Sequence, residues 1–253
     1  MDIPAGRIVW FDYLTSEPAK AQTLFRALFG WTSQTVTMPI TSGTYTMIVS
    51  DGKTIGGYGA PHPGTPTIRF SEPYARWLPH FQVASGHESA AKAKNLGAKM
   101  LREPTPFGEM TSKLAVAIDP NGQSFAMWQP PKVDGDPGWA GPPNTFCWAE
   151  LYTSNTSSSV SFYKTIGGYT ETKNPLPDGG TYHLLERDGA PRAGVRTPMQ
   201  AIQPGWFAWV RVPDLAATAA KAQQLDATIV MPPANGMALL VDPWGCALGL
   251  AQA

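Results

Sequence analysis

The sequence predicts an α+β protein of four βαβββ modules that form two barrel-like cups. Two observations carry this. Residues 9–32, VWFDYLTSEPAKAQTLFRALFGWT, recur from Cys147 as CWAELYTSNTSSSVSFYKTIGGYT, so that Trp10 answers to Trp148, Asp12 to Glu150 and Gly30 to Gly168. Within each half, the order strand, helix, three strands then occurs twice. Self-similarity at this length marks a chain built from copies of one supersecondary unit.

The elements follow in order. Arg7–Thr15 is rich in Val, Ile, Phe, Trp and Tyr and reads as a strand. Its alternation puts Val9, Phe11 and Tyr13 on one face and Trp10 and Asp12 on the other. Ser16 is placed to cap a helix that has Pro18 in its first turn. Ala21, Leu24, Phe25 and Leu28 then give that helix one apolar face, and Gly30 ends it. Strands are expected around Val36, Tyr45–Val49 and Thr54–Gly59. The second module repeats the order: a strand over Trp77–Val83, a helix over Ser85–Leu96 with Gly97 as its C-cap, and strands at Lys99–Arg102, Leu114–Asp119 and Ser124–Gln129. Residues 148–198 and 206–252 run through the pattern again. Tyr45 recurs as Tyr182, Gly57 as Gly194, Pro61 as Pro198, Trp77 as Trp206, and the turn DPNG (119–122) as DPWG (242–245).

Each module carries a helix on one sheet face and leaves the other open, so two modules side by side close a cup. The stretch QPPKVDGDPGWAGPPN (129–144) is rich in Pro, Gly and Asp and lacks an apolar period. It implies domains at 1–131 and 145–253 joined by a linker at 132–144. Pairing of modules one with two and three with four, or one with four and two with three, is open at this level.

Composition narrows the function. Apolar residues make up 43% and charged residues 15%, a globular balance, and 19 Lys+Arg cancel 19 Asp+Glu. Without a basic field, nucleic acid is not an expected partner. Cys147 and Cys246 form no disulfide framework, the N-terminus shows no signal peptide, and no apolar run is long enough to span a membrane. A cytoplasmic protein, monomeric or weakly homodimeric, is expected. The GG pairs lie outside any GxGxxG or GxxxxGK[ST] context, so nucleotide binding has no support.

The stretches TLFRALFGW (23–31) and SFYKTIGGY (161–169), with the late turns DPNGQSFAMWQ (119–129) and DPWGCALGL (242–250), resemble the vicinal oxygen chelate superfamily. That family includes glyoxalase I, bleomycin resistance proteins and extradiol dioxygenases, and the tandem two-domain glyoxalase-like members are most similar. The resemblance implies the glyoxalase/bleomycin resistance fold. It also implies that many relatives hold a divalent metal through His, Gln or Glu on the first strand of each unit and Glu on the last. Carried over residue by residue, the first-strand places fall on Trp10, Leu78, Trp148 and Phe207. The last-strand places fall on Ala126 and Gly249, and near Gly57 and Gly194. None of these supplies a donor, so no metal and no other cofactor is expected.

The expected function is therefore metal-independent binding of a small organic molecule, aromatic or apolar, in a cup. The alternatives are a glyoxalase-like lyase or isomerase, or a dioxygenase-related enzyme, and an interaction protein with filled cups. Trp10, Gln82, Trp148, Glu150, Trp209 and Arg211 are candidate ligand contacts. His80, which shares a face with Leu78, and Asp12 are the candidate acid–base pair. Structural roles compete for each: core packing for the tryptophans, an ion pair or hydrogen bond for Asp12 and Glu150, a satisfied half-buried residue for His80. Arg211 is of the type that binds carboxylate or phosphate. His62, His87 and His183 are placed outside the cups.

Overall fold

The computed structural model describes residues 6–38, 43–60, 75–107, 109–132, 138–200 and 202–253. Pro61 and His62 lie outside them.

Module one comprises β1 (Ile8–Thr15), α1 (Pro18–Phe29), β2 (Thr32–Thr37), β3 (Thr44–Ser50) and β4 (Lys53–Gly59). Module two comprises β5 (Ala75–Gln82), α2 (Gly86–Asn95), β6 (Lys99–Phe107), β7 (Glu109–Ile118) and β8 (Ser124–Gln129). The third has β9 (Phe146–Tyr152), α3 (Thr156–Gly167), β10 (Thr170–Pro175), β11 (Thr181–Arg187) and β12 (Ala190–Arg196). The fourth has β13 (Gly205–Val212), α4 (Leu215–Gln224), β14 (Thr228–Ala234), β15 (Met237–Val241) and β16 (Ala247–Gln252).

Two eight-stranded sheets result, ordered β2-β3-β4-β1-β5-β8-β7-β6 and β10-β11-β12-β9-β13-β16-β15-β14. Module one thus joins module two through the antiparallel pair β1–β5, and three joins four through β9–β13. The open choice of pairing resolves to neighbours in sequence.

Local chemistry explains the helices. Ala21, Leu24, Phe25 and Leu28 are buried, and Gly30 closes α1 in the left-handed conformation at φ 70°. Ser16 does not cap that helix. Glu17 stands at the N-cap without a side-chain bond, and Thr15 Oγ1 accepts from the Glu17 N–H at 3.0 Å instead. Pro18 starts the helix, where its missing N–H costs nothing. In α2, Ser85 Oγ accepts from the Glu88 N–H. Leu96 is the C-cap there, with Gly97 following at φ 89°.

A β-bulge corrects the expected faces of β1. The register with β5 shifts between Ile8 and Trp10. Ile8 therefore joins the core with Phe11 and Tyr13, while Val9 turns to the concave side. The same irregularity between β9 and β13 turns Cys147 into the second cup.

The sheets meet back to back. Central strands β5 and β13 lie against each other, α1 packs beside α4, and α2 beside α3. Aromatic rings fill this interface: Phe81 stacks on Tyr163 at 5.4 Å and meets Trp206 edge-on, and Phe146 packs on Phe11, Trp31 and Trp77. Most of the chain's buried apolar residues belong to this single core. Residues on the other face of β1, β5, β9 and β13 point away from it, so the two cups open outward. Among the described residues no helix is long and apolar enough to cross a membrane.

Candidate functional site

Each half holds one cavity on its concave face. The first, of about 390 Å³, is lined by Trp10, Tyr45, His80, Gln82, Phe107 and Trp128 among others. The second, of about 470 Å³, includes Trp148, Glu150, Tyr182, Arg196, Trp209 and Arg211 in its wall. Of the sequence-predicted site residues, all but Asp12 therefore line a cavity. Both cups are open rather than solid with tryptophan.

Asp12 lies beneath the first cup. Its Oδ1 accepts from the Tyr45 hydroxyl and, at 3.1 Å, from the Trp10 indole, while His80 Nε2 lies 3.0 Å from Oδ2. The Trp10 indole N–H also reaches the Tyr45 hydroxyl at 2.8 Å. Burial works to raise the Asp12 carboxyl, but the adjoining His80 charge and the bonds from His80, Tyr45 and Trp10 hold it below its ordinary value. The acid is ionised, covered and fully engaged. Asp12 and His80, expected as an acid–base pair, are in direct contact, with Asp12 beneath the cup and His80 in its wall.

Glu150 occupies the equivalent place in the second cup and meets different neighbours. Its Oε2 accepts from the Trp209 indole N–H at 2.7 Å. Tyr182, the counterpart of Tyr45, takes the Trp148 indole N–H at 2.9 Å. Trp209 stands where the first cup has His80, so the donor is neutral. Burial then dominates: it raises Glu150 to about 7, against the opposing pull of the Trp209 bond and the Arg196 charge.

The two arginines of this cup differ. Arg196 is bound to Asp178 at 2.7 Å and lies over the Tyr152 ring. Among the described residues the Arg211 side chain makes one hydrogen bond, to the Gly141 carbonyl at 2.9 Å, and has no carboxylate partner. Its counterpart in the first cup is the neutral Gln82, paired across from Trp128.

The ladders set the last-strand places against residues two further along the first strands than those carried over from the resemblance. Gly57 pairs with Asp12, Ala126 with His80, Gly194 with Glu150 and Gly249 with Trp209. The last-strand places therefore lie opposite Asp12, His80, Glu150 and Trp209 rather than opposite Trp10, Leu78, Trp148 and Phe207. Leu78 instead joins Leu14, Leu114, Val116 and Ala126 in a small apolar cluster under the first cup.

Even so, the residues do not fit a metal of the family type. The first cup offers two donors, already bonded to each other, and the second offers one. The last-strand places hold glycine or alanine, and the space is taken. A Cβ on Gly57 would lie 1.9 Å from the Tyr45 hydroxyl, one on Gly194 1.9 Å from that of Tyr182, and one on Gly249 2.0 Å from the Trp209 ring. Among the described residues no group of three or more His, Cys, Asp or Glu is placed to hold a metal ion.

The two other described histidines, His87 and His183, keep away from the cups. His87 is exposed on α2. His183 is buried on the side of β11 away from the cup, with Nδ1 2.8 Å from Glu171. Both cysteines are free, and Cys147, half-buried in the second cup, has its thiol pushed up to about 11 by burial. The contribution of Tyr45 and Tyr182 was missed from sequence, although their recurrence beside the Gly57 and Gly194 repeat was visible.

No family model matches the chain. A Mycobacterium tuberculosis protein named as a candidate glyoxylase, CFP32, is 25% identical over 242 residues, 93% of this chain and 90% of that protein. The anthracycline biosynthesis protein DnrV of Streptomyces peucetius is 26% identical over 263 residues, covering 98% and 93%. Among solved structures, the Mn(II)-bound glyoxalase of Novosphingobium aromaticivorans aligns with a TM-score of 0.65 at 13% identity, over 98% of this chain and 82% of that one. Homoprotocatechuate 2,3-dioxygenase of Arthrobacter globiformis gives 0.65 at 13%, over 99% and 81%. With these relatives, the paired eight-stranded sheets and the fourfold βαβββ order give the chain the two-domain fold of the vicinal oxygen chelate superfamily.

Proposed function

We propose that this protein binds a small, flat, largely apolar organic molecule in its cups without the divalent metal used by many of its relatives. The observation that carries this is the pairing of open, aromatic-walled cavities of about 390 and 470 Å³ with last-strand positions closed by Tyr45, Tyr182 and Trp209. Space for a ligand persists while the donors do not. Apolar walls with a few polar groups are the usual character of small-molecule sites. The relatives named for anthracycline biosynthesis support an aromatic ligand, since anthracyclines are fused-ring aromatics. The setting we assign is cytoplasmic, with the protein monomeric or weakly homodimeric, its convex faces already covering each other.

Titration of chelator-treated protein with 2-naphthamide, followed by tryptophan fluorescence, tests the reading. Saturable quenching that Trp10→Ala and Trp148→Ala each reduce is expected. No binding, or binding that needs added Mn²⁺ or Zn²⁺, defeats it.

Glu150 favours a second reading, a metal-free lyase or isomerase acting in the second cup. A carboxyl poised at about 7 suits proton abstraction at neutral pH. The Asp12–His80 pair suits it less, because Asp12 is covered. Solvent-deuterium exchange into phenylpyruvate, abolished by Glu150→Gln, is the expected signature, and exchange unaffected by that change excludes Glu150 as the base.

A further inference from the structure

The two cups share walls but not charge. In the first, the polar groups on the concave face compensate one another: Asp12 is matched by His80 at 3.0 Å, and Gln82 is neutral. In the second, Arg196 is matched by Asp178 at 2.7 Å. Arg211 is matched by nothing acidic among the described residues. One of its five N–H donors is used on the Gly141 carbonyl, which fixes the head group at the end of the cup where the Thr145 carbonyl accepts the Arg211 backbone N–H at 3.0 Å. A cation held against an apolar cavity without a counter-ion favours an anionic occupant.

The position of this arginine limits the occupant's shape. Trp148 and Trp209 face each other across β9 and β13, and Arg211 follows Trp209 by two residues on the same face. Two residues along a strand advance roughly 7 Å. A planar group lying on the tryptophan pair therefore puts a substituent at its edge within reach of the guanidinium. At the other side of the pair, the Trp209 indole N–H is turned to Glu150.

Resting on the proposed function above, we propose that the second cup is specific for an aromatic carboxylate, its ring on Trp148 and Trp209 and its carboxylate on Arg211, while the first cup takes neutral ligands. The carboxylate forms a charge-assisted, two-point contact with the guanidinium fork, which a lysine reproduces only as a point charge. Repulsion by Glu150 is weak while that acid carries its proton, as burial disposes it to do below about 7. Discrimination between the cups then follows from one repeat position, Arg211 against Gln82.

The test compares two probes of one shape, 2-naphthoate and the uncharged 2-naphthamide, by isothermal titration at pH 6.5 with the whole protein. One naphthoate site and two naphthamide sites per chain are expected. Arg211→Met is expected to weaken naphthoate by at least about tenfold while leaving naphthamide within about twofold. Arg211→Lys is expected to keep an intermediate naphthoate affinity, and naphthamide binding reports that the cup is intact in both variants. Equal loss of both probes in Arg211→Met, or no loss of naphthoate, overturns the assignment. If naphthamide binds and naphthoate does not, the carboxylate proposal fails while the general binding function stands. Binding of neither probe defeats both.

Discussion

His80 and Trp209 occupy the same position on β5 and β13, and each meets the buried acid of its own cup. His80 Nε2 lies 3.0 Å from Asp12, and the Trp209 indole lies 2.7 Å from Glu150. The first contact can carry a positive charge and the second cannot. Two acids in equivalent strands thereby acquire opposite tendencies, Asp12 held low and Glu150 raised to about 7. One exchange of donor turns a compensated pair into an uncompensated carboxyl.

Removal of His80 is expected to strand Asp12. The pair is nearly enclosed, with side chains 7% and 12% exposed. Deleting one member of a buried pair leaves an unmatched charge and costs about 3–5 kcal/mol. His80→Ala should therefore lower stability to urea by about 3 kcal/mol, and adding Asp12→Asn to it should restore a substantial part. A double variant as unstable as the single would show that the loss came from packing, not charge.

Glu150 gives stability a pH dependence of definite sign. Its folded value of about 7 lies above the ordinary 4.5, so the folded protein holds the proton more tightly. That contribution is fully present below about pH 4.5 and is lost as pH rises through 7. The shift amounts to an effect on the order of 3 kcal/mol. Facing Glu150 are Tyr182 from β11, Arg196 from β12, and Trp209 and Arg211 from β13; Cys147 and Tyr152 share its own strand. Asp242, raised to about 6, acts in the same direction, whereas Asp12 acts oppositely, below its ordinary 3.8. Urea midpoints at pH 5 and pH 8 should differ less in Glu150→Gln than in the parent. An unchanged difference would remove Glu150 as the titrating group.

How far the residues disclosed this beforehand depends on the range of the interaction. The apolar face of α1 and its Gly30 ending are set by neighbours within a few turns, and both were legible. So was the fourfold order, because a repeat is visible without knowing any contact. Which first-strand residues face the last-strand places was not legible, because Asp12 meeting Gly57 and His80 meeting Ala126 are pairings between distant strands. A single bulge at Val9 likewise moved one side chain to the other face. The asymmetry of His80 against Trp209 was visible in the repeat. Its consequence was not, since Asp12 contacts a residue on the neighbouring strand that lies diagonally from it, opposite Trp10 rather than Asp12 itself.

Glycine at position 249 is required by the ring above it. A Cβ there would meet Trp209 atoms at 2.0, 2.4 and 2.5 Å, deep in a packed sheet. Gly249→Ala should destabilise by about 1–3 kcal/mol through overpacking and should displace Trp209 from Glu150. Combining it with Trp209→Ala should recover stability relative to Gly249→Ala alone. Failure of that recovery would place the strain elsewhere.

Finally, the halves are tied by a reciprocal exchange that the repeat itself conceals. Positions 13 and 25 hold Tyr and Phe, and their counterparts 151 and 163 hold Leu and Tyr. One hydroxyl therefore comes from a strand in the first half and from a helix in the second. Each crosses to the aspartate of the other half's DP-x-G turn: Tyr13 donates to Asp242, and Tyr163 to Asp119 at 3.0 Å. The other oxygen of each carboxyl already accepts two backbone N–H groups of its own turn, from Asn121 and Gln123 at 2.8 Å and from Trp244 and Cys246 at 2.9 and 3.0 Å. Removing the hydroxyl leaves a buried carboxyl oxygen short of a donor, which costs about 1–3 kcal/mol. Tyr13→Phe and Tyr163→Phe should each lower the unfolding free energy from urea titration by that amount. The two sites sit at separate turns, so the losses should add in the double variant. The double variant should also be the first to show separate unfolding of the two halves, as a biphasic transition. Tyr13→Phe with stability unchanged within about 0.3 kcal/mol would mean that the crossing bond contributes nothing to the interface.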